Sequence, residues 1–452
     1  MATHDNKDVV TEQHSTWNEL SEEERSTVKR AATASFLGNF VEWFDYGSYG
    51  YFAIAISEVF FATEDKQVAL IETFAVFAIS FLLRPVGAIF WGHMGDKKGR
   101  KWSLAASIML MTGATFFIAF IPGYATIGIF APLLLLLLRS VQGFSASGEY
   151  AGAATFLAEY APMERRGIYC SLVPASTASG LLLAAVINAS FEHLLTTEQV
   201  ISWGWRVPFA MSLPLGLIAL YLWMHLEDSP TYAKLQEQIE KKMKAGETAR
   251  PIRDLFVNHW RETLIGFGVS ALNAVGFYMV LVYMPTYLNE EVKISSDTAS
   301  IITAATLVFY IACIFYMGHL SDTFGRKKML IAASVGFIVL AIPGFMLLGT
   351  KSIVVILIVE LIFCATLTIN DGTLSSFLTE TFPTEVRYSG FAFSFNMANV
   401  VFGGTAPMIS TWLIRVTGSD LTPAFYLMLV AAFALGAMMA SKDHSNKDLG
   451  TI

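Results

Sequence analysis

Charge is scarce in this chain. Asp, Glu, Lys and Arg make up 15% of 452 residues, against roughly a quarter in soluble proteins. Hydrophobic residues make up 54%, so there is too little polar surface to cover a globule, and lipid must face much of the apolar surface. Blocks of basic charge are also missing. The net charge is −7 and no basic run is interleaved with aromatics, which argues against nucleic acid as a partner. Cysteine is nearly absent. Cys170, Cys313 and Cys364 lie far apart in apolar stretches. Without CxxC or Cys/His spacing, neither a metal nor a disulfide framework is expected, and the three read as small apolar residues. Phosphate-cradling GxxxxGK[ST], zinc-binding HExxH and GxSxG are all lacking. Gly143-Phe144-Ser145-Ala146-Ser147-Gly148 has the wrong spacing for the last of these. ATP-driven work and familiar hydrolysis therefore lack their residues, and no cofactor is expected. Residues 1–30 are polar and of mixed charge, without the features of a signal peptide. They read as a cytoplasmic tail with a short helix over 20–28.

Long apolar runs are what the chain does have. A helix needs about 20 apolar residues to cross the hydrocarbon, and that ruler predicts twelve spans. They fall near 31–58, 69–94, 103–121, 127–160, 167–191, 205–225, 259–287, 297–319, 329–348, 353–381, 388–415 and 422–440. The one long polar interior segment, 226–258, divides them six and six. The expected organisation is a tail (1–30), a bundle (31–225), a central loop (226–258), a second bundle (259–441) and a tail (442–452). Most of the 30 Lys and Arg residues fall on one face if both termini are inside. Lys66, Arg206, Lys293, Lys351 and Arg415 lie opposite, and Arg84 and Arg139 lie within spans. The excess of positive charge inside sets the orientation.

The halves echo each other. Gly92-His93-Met94-Gly95-Asp96-Lys97-Lys98-Gly99-Arg100-Lys101 follows the second span. Gly318-His319-Leu320-Ser321-Asp322-Thr323-Phe324-Gly325-Arg326-Lys327 follows the eighth. Glu159, Pro162 and Glu164 after span four return as Glu380, Pro383 and Glu385 after span ten. Two echoes in register imply two six-helix bundles related by an axis along the membrane normal, with a site between them. In each loop, glycine supplies the unusual dihedrals of a tight turn. The aspartate caps the next helix or pairs with a basic residue across the bundle interface. Gly92, Asp96, Arg100, Gly318, Asp322 and Arg326 are therefore read as gating residues.

The doubled loop resembles the signature of the major facilitator superfamily, and Arg139-Ser140-Val141-Gln142-Gly143 is similar to its second motif. Glu42-Trp43-Phe44-Asp45-Tyr46-Gly47, Leu83-Arg84-Pro85-Val86-Gly87, Gln142 through Gly148-Glu149-Tyr150, and Trp203-Gly204-Trp205-Arg206-Val207-Pro208-Phe209 resemble the metabolite:proton symporter family. Tyr283-Met284-Pro285-Thr286-Tyr287-Leu288 and Phe402-Gly403-Gly404-Thr405-Ala406-Pro407 look most like its proline/glycine betaine branch. The resemblance implies an all-α, polytopic membrane protein of twelve helices. It implies proton-coupled uptake of a small zwitterionic osmolyte by alternating access, in the cell (inner) membrane. Its partners are then solute, protons and the lipid bilayer. A mono- or dicarboxylate such as 2-oxoglutarate, citrate or shikimate is the alternative cargo, since carriers of those acids share the N-terminal motifs. Some osmosensory members carry a long C-terminal coiled coil; residues 441–452 have no heptads, so any response to osmotic strength is not expected to use that device.

Ionisable groups inside oil cost at least ~2.5–3.5 kcal/mol on insertion scales, so each needs a partner or a task. Asp45 and Arg139 are expected to pair near mid-depth. Two readings stand: a proton carrier whose environment alternates, or a static brace. Glu42, three residues earlier on the same face, is either the carrier itself or the partner of Arg84. Glu149 is either a proton relay or the partner of a loop arginine. Asp371 and Glu360 have no basic partner in the spans of their half. Arg84 and Arg139 together could hold one carboxylate. Aromatic faces at Trp43, Tyr46, Tyr49, Phe144, Tyr150, Phe277 and Tyr278 attract quaternary ammonium by about 0.5–2 kcal/mol each. With Asp371, they form the expected substrate site.

Overall fold

The computed structural model describes residues 16–61, 66–226, 251–445 and 447–451. Much of the central loop, including Lys234, Lys241, Lys242, Lys244 and Arg250, lies outside the described residues, as does most of the N-terminal tail.

Ten described helices are long and apolar enough to cross a membrane. The two spans this count misses have identifiable causes. The first, Glu22–Tyr51, begins in charged residues and carries Glu42 and Asp45. It starts at a capping box, in which Ser21 Oγ accepts from Glu24 N and Glu24 Oε2 accepts from Ser21 N at 2.8 Å. The expected short helix over 20–28 is therefore the first turns of this span. The second span is broken into Lys66–Leu82 and Arg84–Lys98. Pro85 has no N–H to continue the ladder and sits in the first turn of the new segment. With these two, the chain crosses twelve times.

The first span packs on the fifth (Leu172–Leu194) and sixth (Arg206–Met224), and the third (Arg100–Ile118) on the fourth (Phe130–Tyr160). In the second half the ninth (Arg326–Leu348) packs on the tenth (Ile353–Thr381) and twelfth (Thr422–Ala440). Contacts between halves follow the twofold relation. Arg84–Lys98 of the second span lies against Arg387–Ala398 of the eleventh, and Ser296–Phe324 of the eighth lies against Arg166–Cys170 and the fifth. Spans seven and eleven each contain a π-helical turn, Tyr278–Tyr283 and Asn399–Gly403. Such turns are frequent at functional sites, and here both flank the interface between halves.

Candidate functional site: a cavity between the halves and two charged gates

Both signature loops lie at one end of the molecule, where most of the basic residues gather. Gly99 (φ 112°) and Gly325 (φ 92°) occupy the dihedral region that favours glycine, one between each pair of helices. Gly92 and Gly318 serve differently from the expected turn role, by allowing close approach. A Cβ on Gly92 would lie 2.6 Å from Ser389 Cα, and one on Gly318 would lie 2.8 Å from Gly167 O.

Each aspartate caps a helix of the opposite half, rather than the helix that follows it. Asp96 accepts from Tyr388 N (3.2 Å), Ser389 N (2.9 Å) and Ser389 Oγ (2.6 Å) at the start of Arg387–Ala398. Asp322 accepts from Gly167 N (2.7 Å) and Ile168 N (3.1 Å) at the start of Arg166–Cys170. The negative charge thus meets unsatisfied amides and the positive end of a helix dipole. Arg100 and Arg326 pair with these aspartates one turn on, at 2.9 and 2.7 Å.

A second pair of buried carboxylates completes the gates. Glu159 Oε1 accepts from Arg100 (3.3 Å) and from Arg387 of the other half (3.1 Å). Glu380 Oε1 accepts from Arg326 (3.3 Å) and from Arg166 of the other half (2.7 Å). Arg166 and Arg387 stand at the same chain offset as Glu159 and Glu380, so extending the second echo by a few residues would have found them. This end of the molecule is closed.

Above the gates, a small, nearly collapsed cavity is lined by Trp43, Tyr150, Pro174 and Thr177 of the first half and Asn273, Phe277, Tyr310, Asp371, Phe395 and Asn399 of the second. Trp43 and Phe277 face each other across the halves at 5.4 Å, and Tyr150 stacks on Phe395 at 4.3 Å. Asp371 accepts from Asn273 Nδ2 and Tyr310 Oη, both at 2.6 Å. No lining residue is a lysine or arginine.

Of the expected substrate residues, Trp43, Tyr150, Phe277 and Asp371 reach the cavity. Arg84 does not line it. Its Nη2 is bound to Glu42 Oε1 at 3.0 Å, and its guanidinium lies over Tyr46 (4.7 Å) and Phe81 (4.6 Å). Tyr278 packs on Phe81 in the same cluster, at 6.3 Å. Tyr49 lies under Arg139 at 4.2 Å and donates to Thr73 O at 2.9 Å. Phe144 is the correction: it packs on Phe90 (5.3 Å) and Trp91 (5.8 Å), away from the cavity, with Phe90 exposed. Its helix turns that ring outward while Tyr150 points in. Asn273, Tyr310, Thr177 and Asn399 were missed. The only sequence signal for them is a lone polar group in an apolar run.

Asp45 and Arg139 meet at 2.8 Å, both buried. Gln142 braces the pair, accepting from Arg139 at 2.8 Å and donating to Asp45 Oδ2 at 3.0 Å and to Thr115 Oγ1 at 2.6 Å. Asp45 Oδ1 has no hydrogen-bond partner among the described residues. Glu149 accepts from Ser107 at 3.3 Å and packs against Gly38, and it pairs with no loop arginine among the described residues. Its Oε1 is also without a hydrogen-bond partner.

Comparison with known proteins agrees with this architecture. The model of the family described as Sugar (and other) transporter matches residues 31–449. The chain is 39% identical over 425 residues to the glycine betaine/proline/ectoine/pipecolic acid transporter OusA of Dickeya dadantii, covering 93% of this chain and 85% of that protein. It is 37% identical over 425 residues to the proline/betaine transporter of Escherichia coli, with the same coverage. Among solved structures, the proton:xylose symporter XylE bound to 6-bromo-6-deoxy-D-glucose superposes with a TM-score of 0.77 at 20% identity, covering 94% of this chain and 98% of that one. The inward open conformation of XylE from E. coli gives 0.66 at 18% identity, covering 93% and 98%. The chain is thus a solute transporter rather than an enzyme, and it belongs to the sugar (and other) transporter family within the major facilitator superfamily.

Proposed function

We propose that the chain is a proton-coupled symporter that takes up a small zwitterionic osmolyte, such as glycine betaine or proline, by alternating access. The observation that carries the cargo is the cavity wall: the rings of Trp43, Tyr150, Phe277, Tyr310 and Phe395 around one carboxylate, Asp371, with no basic side chain. Ring faces and a carboxylate suit a cationic ammonium. The amides of Asn273 and Asn399 and the Thr177 hydroxyl suit the carboxylate end. A dicarboxylate would find a negative wall, because Arg84 and Arg139 are engaged by Glu42 and Asp45. Relatives named as proline and betaine transporters support the same cargo.

Proton coupling rests on Asp45 and Arg139. The pair favours the ionised carboxylate, and Asp45 Oδ1 is the open acceptor. Rocking of the halves that parts the pair leaves Asp45 in apolar surroundings, where it takes a proton; re-forming the pair releases it. Glu42 with Arg84 is the second candidate carrier, and Glu149 a relay toward the gates. The two bundles, 31–225 and 259–441, move about the cavity, with 226–258 joining them. The Lys and Arg distribution supports both termini being cytoplasmic, and the cell (inner) membrane is the location that the proline and betaine transporter relatives suggest. Purified protein in proteoliposomes, given labelled glycine betaine or proline, tests this. Accumulation should require an inward proton gradient. Uptake of a multivalent acid alone, or accumulation indifferent to pH, would overturn it.

A further inference from the structure

Beyond the twelfth span the chain turns back across the gates. Ser441 leaves the helix in extended backbone (φ −76°, ψ 155°). Lys327 Nζ donates to the carbonyls of Met439 and Ser441, at 3.3 and 2.6 Å. His444 Nδ1 donates to Glu380 O at 3.0 Å, and Arg326 N donates to Ser445 Oγ at 2.8 Å. Two residues further, Arg166 Nη2 donates to Lys447 O at 3.0 Å. Arg387 Nη2 and Thr384 Oγ1 donate to Leu449 O at 2.8 and 3.2 Å. The Leu449 side chain is fully buried against Ala158 and Cys170 of the first half.

Arg166 and Arg387 each pair with a carboxylate of the opposite half, one from each side of the interface. Their tail acceptors are only two residues apart. Two residues of backbone span at most ~7 Å, so the segment cannot follow both arginines when the halves part at this end. We propose that residues 441–445 and 447–451 form a latch that biases the carrier toward the state closed at the gate end, and that opening there requires the segment to release Arg166 or Arg387 and lift Leu449 from its seat. The proposal rests on alternating access of the two halves and is independent of which solute is carried.

The native thiols report on it. Cys170 is covered by Leu449, while Cys364 is buried within the second half. Full-length protein in proteoliposomes is treated with N-ethylmaleimide, and modification of each cysteine is followed by peptide mass spectrometry. A Leu449→Asp variant and a variant lacking residues 447–452 are compared with the parent. The truncation removes two carbonyl acceptors of charged donors, each weighing about a factor of ten, and Leu449→Asp unseats the side chain buried on Cys170 by placing a charge there, so Cys170 should react roughly ten-fold or more faster in both variants, with Cys364 still protected. An uncovered thiol alone does not show opening. Spin labels at Lys97 and Glu385, exposed positions on opposite halves of the gate end, read that separately, and the population at long distance should rise by a similar factor. Unchanged distances in the variants, or unchanged Cys170 reactivity, overturn the latch. If Cys364 becomes reactive as well, the variant has unfolded, and Leu449→Ala decides the matter by the same two measurements.

Discussion

Removing one charge from the cavity should cost most of the affinity for a zwitterion. Asp371→Asn keeps the shape of the side chain, and its carbonyl oxygen can still accept from the Tyr310 hydroxyl, now 2.6 Å from Asp371 Oδ2. What disappears is the negative charge facing the rings. A trimethylammonium group is kept by its own methyls about 5–6 Å from a carboxylate, where an effective dielectric of ~20 gives ~3 kcal/mol. That corresponds to a rise in Kd of about two orders of magnitude. Equilibrium binding of labelled glycine betaine to purified protein measures it, with Asp371→Glu as the variant that keeps the charge. Betaine affinity lowered by under about threefold, which is below ~0.7 kcal/mol, would refute the cation-reading role of Asp371. Equal losses in Asp371→Asn and Asp371→Glu would point instead to disruption of the knot with Asn273 and Tyr310.

Two further perturbations address coupling and gating. Asp45→Asn should abolish accumulation driven by a proton gradient while solute exchange across proteoliposomes persists; uphill uptake at the parental level would remove Asp45 from the mechanism. Glu159→Gln takes the shared carboxylate from between Arg100 and Arg387. Breaking a buried pair in this way costs ~3–5 kcal/mol, so the closed state at the gate end should lose its dominance, read as longer distances between labels at Lys97 and Glu385.

The spans, the twofold relation and the gate loops were legible because each writes itself in a local pattern. Apolar runs, clustered Lys and Arg, and a repeated Gly-His…Asp…Gly-Arg-Lys string need no tertiary information. The pairing of Asp45 with Arg139 was also legible, since two opposite charges in oil have few other ways to be satisfied. The cavity was only half visible. Trp43, Tyr150, Phe277 and Asp371 stand out by type, yet nothing local separates Tyr150, which faces inward, from Phe144, which packs on the exposed Phe90. That choice depends on helix rotation about the interface. Asn273, Asn399 and Tyr310 gain meaning only when spans from the second half converge. Arg84 illustrates the converse error: an in-span cation reads as a carboxylate receptor until Glu42 is found 3.0 Å away.

The gates repeat in charge but differ in shape. Asp96, Arg100, Glu159 and Arg387 match Asp322, Arg326, Glu380 and Arg166 contact for contact. Yet Tyr388 in the second half occupies the chain position of Gly167 in the first. The Tyr388 ring fills a hollow over Gly95, Gly148 and Gly152, and its hydroxyl donates to Gly148 O at 2.7 Å. On the other side backbone meets backbone. A Cβ on Gly167 would lie 2.5 Å from Gly318 O and 2.9 Å from Asp322 Oδ1. A ring can slide out of its hollow, whereas apposed backbones either touch or separate. Gly167→Ala should therefore push the eighth span off the fifth and weaken the Asp322 cap, an overpacking cost of ~1–3 kcal/mol. Because the methyl clashes only when the halves are together, the variant should stay folded but populate the gate-open state about ten-fold or more. Gly113→Ala is the control, since its added Cβ meets nothing within 4 Å. Parental label distances and parental transport in Gly167→Ala would show that the two apposed glycines leave slack, and that the charges alone hold this end shut.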